Sequence, residues 1–284
     1  MNLADLCLLF SSIGFILSLI PCRGKKYPAL LGWTGIVAYL IVSMPHYIID
    51  ENNFVYPLIG ILAILPYIIT AKALFRDEPV VYSLTKIAAV AWLIYAPFYF
   101  IEPLGNWLVG LQISHVSYIL DLFGQPVGIC WEEGWNTIAR NGYRIQIILG
   151  CTGVQSIAIM LGVIAAVPTT WRQRILSVLL VFFTIYIMNI IRNVFVVFSY
   201  SEQLFPFLPE ISSNGHLGYE SYFWAHNVIS EVGISLVTLI IVAFGLFRIN
   251  PGLAGFVDRL LRYYYHRLME MKDLLAGKKS APGN

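Results

Sequence analysis

Long apolar runs separated by short polar turns set the pattern of this chain. The apolar positions are grouped rather than spread at a period of 2 or 3.6, so the runs read as helices immersed in lipid. A helix needs about 20 apolar residues to cross the hydrocarbon core. By that measure seven runs qualify: Leu3–Ile20, Tyr27–Ile48, Val55–Phe75, Val80–Ile101, Cys151–Val167, Arg174–Tyr200 and Tyr222–Phe247. The fifth is short and has room to start earlier, within Ile145–Leu149. The first lacks a basic region before it and a small-residue cleavage site after it, so it reads as a retained helix.

Lys and Arg in the loops set the orientation. Alternate loops carry Arg23, Lys25 and Lys26, then Lys72 and Arg76, then Arg172 and Arg174. The tail adds Arg248, Arg259, Arg262, Arg267, Lys272, Lys278 and Lys279. The other loops are acidic at Asp50-Glu51-Asn52-Asn53 and free of Lys and Arg over Ser201–Ser221. Only Arg140 and Arg144 depart from the pattern, in the longest loop. The expectation is an all-α polytopic membrane protein of about seven transmembrane helices, N-terminus outside and C-terminus inside. Composition agrees: of 284 residues 58% are hydrophobic and only 12% charged, too few charges for a soluble surface. The net charge of +2 gives no reason to expect nucleic acid.

Four regions follow. Residues 1–101 hold four N-terminal spans, and 102–149 form an extracytoplasmic loop. Residues 150–247 form a three-helix region rich in polar groups, and 248–284 a cytoplasmic tail. In the loop, Leu104–Phe123 carries Trp107, Leu108, Leu111, Val116, Ile119, Leu120 and Phe123, the pattern of an interfacial helix. After it, Glu133-Gly134 and Asn141-Gly142 separate β-prone runs and predict a small hairpin. The tail alternates basic, aromatic and leucine positions from Pro251 to Lys279 and predicts an amphipathic helix on the inner leaflet.

Polar residues inside spans are costly, so they mark candidate chemistry. "GCTGVQS" places Cys151 at the mouth of the fifth run, with Gln155 one turn deeper on the same face. "MNIIRNVF" places Asn189, Arg192 and Asn193 in the sixth. "FWAHNVISEVG" places His226, Asn227, Ser230 and Glu231 in the seventh. Arg192 lies roughly 12 Å below the outer end of its helix, and His226 about one turn below. Thiol, guanidinium and imidazole therefore share the outer half of the membrane. A thiolate nucleophile at Cys151 would gain from a helix N-terminus and a nearby cation. His226 would move the proton. Arg192, always charged, would hold a thiolate or an oxyanion. Gln155, or backbone N–H groups near Thr152 and Gly153, would complete that hole, and Glu231 would pair with Arg192.

The structural alternatives stand beside these. Membrane cysteines often only pack. An Arg–Glu pair is often glue. Cys130 has possible disulfide partners in Cys151 and Cys7, whereas Cys22 is out of reach on the inner side. His46, His115, His216 and His266 read as loop or interface residues, with His216 and Glu220 within possible reach of a substrate. No Cys/His pair has metal-ligand spacing, and no cofactor is implied.

The blocks "GCTGVQS", "NIIRNVFVV" and "AHNVISEVG", in that order on late helices, resemble the exosortase/archaeosortase family, its archaeosortase branch most of all. The resemblance covers about Arg144 to Phe247. It implies Cys151 as nucleophile, Arg192 as its essential partner and His226 in the third position. Gln155, Asn189, Asn193, Asn227 and Glu231 would support the site. It also implies a substrate: secreted surface proteins, such as those of an S-layer, with a Pro-Gly-Phe motif, one hydrophobic helix and a basic cluster at the C-terminus. The reaction would be a cysteine transpeptidation at the cell membrane's outer face. The new C-terminus would pass through a thioester to a lipid amine, such as a phosphatidylethanolamine-like archaeal head group. The rivals are a hydrolase, with water resolving the thioester, and a seven-helix receptor or transporter. The last run has no lysine for a retinal Schiff base, and no clear inverted repeat marks a transporter.

Overall fold

A computed structural model describes residues 2–51, 53–213, 215–216 and 218–275. The chain is an all-α polytopic membrane protein with one small sheet. The helices are α1 Leu3–Ser18, α2 Lys26–Val42, α3 Met44–Ile49, α4 Val55–Phe75, α5 Pro79–Phe100 and α6 Glu102–Leu122. After the strands β1 Gly128–Ile129, β2 Thr137–Arg140 and β3 Tyr143–Gln146 come α7 Val154–Ala166, α8 Trp171–Ser201, α9 Pro209–Ser212 and α10 Tyr219–Tyr222. A π-helical stretch, Phe223–Ile234, runs on into α11 Ser235–Ile249, and α12 Pro251–Leu275 closes the chain. Among the described residues, five segments are long and apolar enough to cross a membrane: Lys26–Ile49, Val55–Phe75, Pro79–Phe100, Trp171–Ser201 and Tyr219–Ile249. Leu3–Ser18 and Val154–Ala166 are shorter apolar helices. All seven coincide with the runs read from sequence.

Boundaries differ where local geometry intervenes. The second run breaks at Ser43, and Pro45 starts α3 within its first turn, a place where proline is tolerated. The sixth is longer than its apolar run, because Thr170 and Gln173 form a capping box around its start. The fifth starts later: Leu149–Thr152 is a 3₁₀ turn and Gly153 caps α7.

Helices pack in the order α4–α2–α1–α5–α7–α8–α11. Lipid supplies no hydrophobic drive between them, so small residues that let backbones approach carry the contacts. A Cβ on Gly35 would fall 2.7 Å from the Ser11 backbone nitrogen, and one on Gly162 would collide with the Ile87 carbonyl. The second contact joins the N-terminal helices to the C-terminal ones. One apolar core gathers Ile157, Ile164, Val181, Ile185, Val242 and Leu246, with Leu253 and Phe256 of α12. α12 is also tied to the N-terminal helices by Arg267 to Glu78 at 2.8 Å and by Tyr264 to Thr70 at 2.6 Å. The expected basic tail is thus a docked helix as far as Leu275; Lys278 and Lys279 lie outside the described residues.

The loop between α5 and α7 folds as a helix and a hairpin, with one strand more than expected. β2 and β3 pair antiparallel, Ile138 opposite Ile145 and Arg140 opposite Tyr143. Asn141 and Gly142 turn between them with φ of 52° and 83°, the left-handed pair that a tight hairpin needs. β1 adds to the β2 edge. Ile138, Ile145 and Ile147 bury against Val116 and Leu120 of α6 and Val196 and Val197 of α8. The nearly buried Arg140 guanidinium clamps the hairpin to the end of α8 through Ser201, Glu202 and Gln125. Through this anchor the chain enters the turn that carries Cys151 in a fixed place.

Candidate active site

The turn is built by its own side chains. The Cys151 N–H donates to the Ile148 carbonyl at 2.9 Å. The Thr152 hydroxyl donates to the Leu149 carbonyl at 2.7 Å. Gly153 follows at φ 76°, ψ 0°, a region costly for any residue with a Cβ. A Cβ there would also press on the Asn189 side chain at 3.1 Å. The crossing is tight because Asn189 and Asn193 both reach the Cys151 carbonyl oxygen, donating at 2.7 and 2.8 Å. Two buried amides on successive turns of α8 thereby fix the backbone of the cysteine. Cys151 lies two residues ahead of the α7 cap rather than inside the helix, near the positive end of the α7 dipole.

Arg192 lies between these two asparagines in sequence and points elsewhere. Its Nη2 is 3.3 Å from His226 Nε2. A guanidinium only donates, so Nε2 accepts. His226 Nδ1 is 2.7 Å from Asn227 Oδ1, and the ring's proton therefore sits on Nδ1. The imidazole stacks on Tyr222, 4.9 Å between centroids and 10° from parallel. The expected α-helix here is instead π-helical over Phe223–Ile234. With i→i+5 bonding, residues five apart share a face, which turns His226 and Glu231 to one side.

Glu231 corrects an expectation. It forms no ion pair with Arg192 among the described residues. Its Oε2 accepts from Asn53 Nδ2 at 3.0 Å, and the Tyr56 hydroxyl bonds the same carboxylate. The reason is topological: Asn53, just ahead of α4, and Tyr56 in its first turn reach the π-helical segment and take the carboxylate. Gln155 donates to the Tyr95 hydroxyl at 2.9 Å. All four cysteines are free. His46 bonds Asp50 and Glu51, and His115 bonds Tyr186, away from the thiol. Glu220 is buried. No group of three or more His, Cys, Asp or Glu suited to a metal occurs among the described residues.

Cys151, Gln155, Arg192 and His226 line one cavity of about 620 Å³. Its other walls come from the N-terminal helices: Trp33 and Tyr39 of α2, Tyr47 and Tyr56 around the α3–α4 turn, and Trp92 and Tyr95 of α5. Two charged residues, Arg192 and Glu51, line the same cavity as Cys151. Glu51, Asn53, Tyr56 and the α5 aromatics are the site residues the sequence reading passed over. Trp92, Tyr95 and Tyr99 at i, i+3 and i+7 mark one helical face and were the available signal. Asn53 meeting Glu231 across 178 positions had none.

The family described as transmembrane exosortase matches residues 7–211. The chain belongs to the transmembrane exosortase family. Within it, the chain is 23% identical over 252 residues to archaeosortase A of Haloferax volcanii, covering 81% of this chain and 82% of that one. It is 22% identical over 244 residues to archaeosortase A of Natronomonas pharaonis, covering 81% and 77%. No solved structure matches. The family match takes in the N-terminal cavity wall, Cys151 and Arg192. It ends before His226, so in this exosortase-family chain the third position rests on its place in the cavity.

Proposed function

We propose that this protein is a membrane cysteine transpeptidase that processes C-terminal sorting signals, with Cys151 as nucleophile. The observation that carries the reading is the single cavity onto which Cys151, Arg192 and His226 all open. Two relatives named archaeosortase A, each aligned over 81% of this chain, support the same class. The substrate is a secreted surface-protein precursor ending in a Pro-Gly-Phe motif, an apolar helix and a basic cluster. The loop charges favour an N-terminus outside, and in that orientation the cavity opens at the extracytoplasmic face, where the motif emerges. The aromatic wall of α2 and α5 takes the apolar helix, and Cys151 attacks the carbonyl beside the motif.

The proton has one route. His226 Nε2 holds the free lone pair of the ring, and Arg192 occupies it here. As the thiol approaches, the guanidinium turns to the forming oxyanion, and Nε2 takes the thiol proton. That proton then goes to the leaving amine. Asn227 keeps the ring tautomer, while Asn189 and Asn193 hold the turn. A lipid amine resolves the thioester and leaves the protein lipid-linked.

The test is cleavage in proteoliposomes of a peptide bearing the motif, an apolar helix and a basic tail. Wild type should cut, and Cys151→Ala and Arg192→Ala should not. The product mass tells lipid amine from water. Equal behaviour of all three proteins would overturn the reading and favour a receptor or transporter.

A further inference from the structure

A second cavity of about 250 Å³ lies behind Arg192, between α7, α8 and α11. Arg192 is the side chain that lines both cavities. On the first side its Nη2 meets His226; its Nε is buried with no hydrogen-bond partner, and no carboxylate is within ion-pair distance among the described residues. A cation so placed in a membrane bundle calls for an anion.

The lining is graded. At the level of Cys151 it is mostly polar: Gly153 and Ser156 from α7, Asn189 and Arg192 from α8, and Ser235 at the start of α11, with Ile234 beside it. One to two turns along the helices, roughly 6–10 Å at 1.5 Å per residue, it becomes Met160, Ile185 and Val242. The three helices change in the same sense although α8 runs opposite to the other two. The groove also opens sideways. Ser156 and Ser235 are exposed, and so is Leu239 at 45%. Tyr219–Ile249 has 11% of its apolar window buried, against 28% in each of the other four long spans. It is the span with most surface left for lipid.

We propose that this groove is the acceptor site: a membrane phospholipid with a primary-amine head enters from the bilayer between α7 and α11. Its phosphate meets Arg192 and the Ser156 and Ser235 hydroxyls, as basic pockets between helices hold lipid head groups. Its chains lie along Met160, Ile185 and Val242. The donor peptide and the acceptor lipid thus reach Cys151 from opposite sides of one guanidinium. This rests on the transpeptidase reading for its chemistry. The amine nitrogen attacks the thioester carbonyl, the C–N bond forms and the C–S bond breaks. The proton released by the amine goes to the departing Cys151 thiolate, which returns to the thiol.

The experiment uses proteoliposomes of phosphatidylcholine with phosphatidylethanolamine, the peptide described above, and Ser235→Leu and Thr238→Leu, each filling the groove from α11. Formation of lipid-linked product should fall about tenfold while first-turnover release of the C-terminal tail stays within about twofold of wild type. Unchanged formation of lipid-linked product, or equal loss of first-turnover tail release and transfer in both variants, overturns the groove. A second arm does not need turnover. Cys151→Ala protein is irradiated in vesicles containing a phosphatidylethanolamine with a photoreactive chain, and labelled residues are mapped by mass. Labelling inside the groove at Ile185 or Met188 of α8, suppressed by Thr238→Leu, is expected. Labelling confined to the outer surface of the bundle overturns the proposal. Failure of wild type to cleave would instead strike the transpeptidase reading, and the labelling arm would still test the groove.

Discussion

Two regions face each other across the larger cavity, and they are built on different principles. The C-terminal side is polar and economical. Cys151, Asn189, Arg192, Asn193, His226 and Glu231 come from three short stretches, and nearly every one has a named partner. The N-terminal side is aromatic and diffuse. Trp33, Tyr39, Tyr47, Trp92 and Tyr95 supply broad ring surface, and the bonds they make, such as Trp33 to Thr85 and Tyr39 to Tyr47, hold the wall together rather than a reacting group. The difference teaches where each property can be written. Directed hydrogen bonds in a low-dielectric bundle fix reacting groups to a few tenths of an ångström and need particular residues. A wall for an apolar helix needs only shape and apolar surface, which many sequences supply.

If that division holds, the largest effect belongs to the thiol. Cys151→Ala should lower peptide cleavage by about 10³-fold or more, with the helical content and melting temperature of wild type. Retained activity would place the chemistry elsewhere. Next come the amides that hold the turn. Asn189→Ala and Asn193→Ala each remove a donor from the Cys151 carbonyl, which has two. Each should cost about 0.5–1.5 kcal/mol of stability and cut kcat by about tenfold with KM little changed. The double variant should exceed the sum, because only then is the carbonyl buried without a partner. Gly153→Ala should be felt through both its positive φ and the Asn189 contact, costing about 1–2 kcal/mol, read as a drop in melting temperature.

Across the cavity the balance should reverse. Trp92→Ala should raise KM several-fold and leave kcat nearly unchanged, since it removes area and no reacting group. An equal loss of kcat would make the wall part of the chemistry and dissolve the comparison. The smallest effect lies at the far end. In the α4–α5 turn, the Tyr82 hydroxyl first, and then Lys26 at 3.1 Å, hold the exposed Asp77 carboxyl below its ordinary range. A depressed carboxylate pKa stabilises the fold above its unfolded value, and the contribution is lost as pH falls through the folded value. Asp77→Asn should therefore lower the melting temperature slightly at neutral pH and not at all in strong acid. Cleavage should not change.

The sequence by itself determined much of this protein. Seven apolar runs are set by the thickness of the hydrocarbon core, a length any reader of the chain can apply. The hairpin at Asn141-Gly142 follows from a backbone geometry few residues adopt. Cys151, Arg192 and His226 were legible because polar groups in lipid are rare and each stands out against its run. What only the tertiary structure decided were the partners. Glu231 goes to Asn53 and Tyr56 rather than Arg192, Gln155 to Tyr95, and two asparagines to one backbone carbonyl. The π-helical register that aims His226 and Glu231 is equally invisible in composition. The physical reason is common to all of them. Hydropathy is a property of each residue alone and adds along the chain, whereas a buried hydrogen bond depends on which helices become neighbours. Those neighbours are chosen by small-residue contacts such as Gly162 on Ile87, which carry no chemistry of their own.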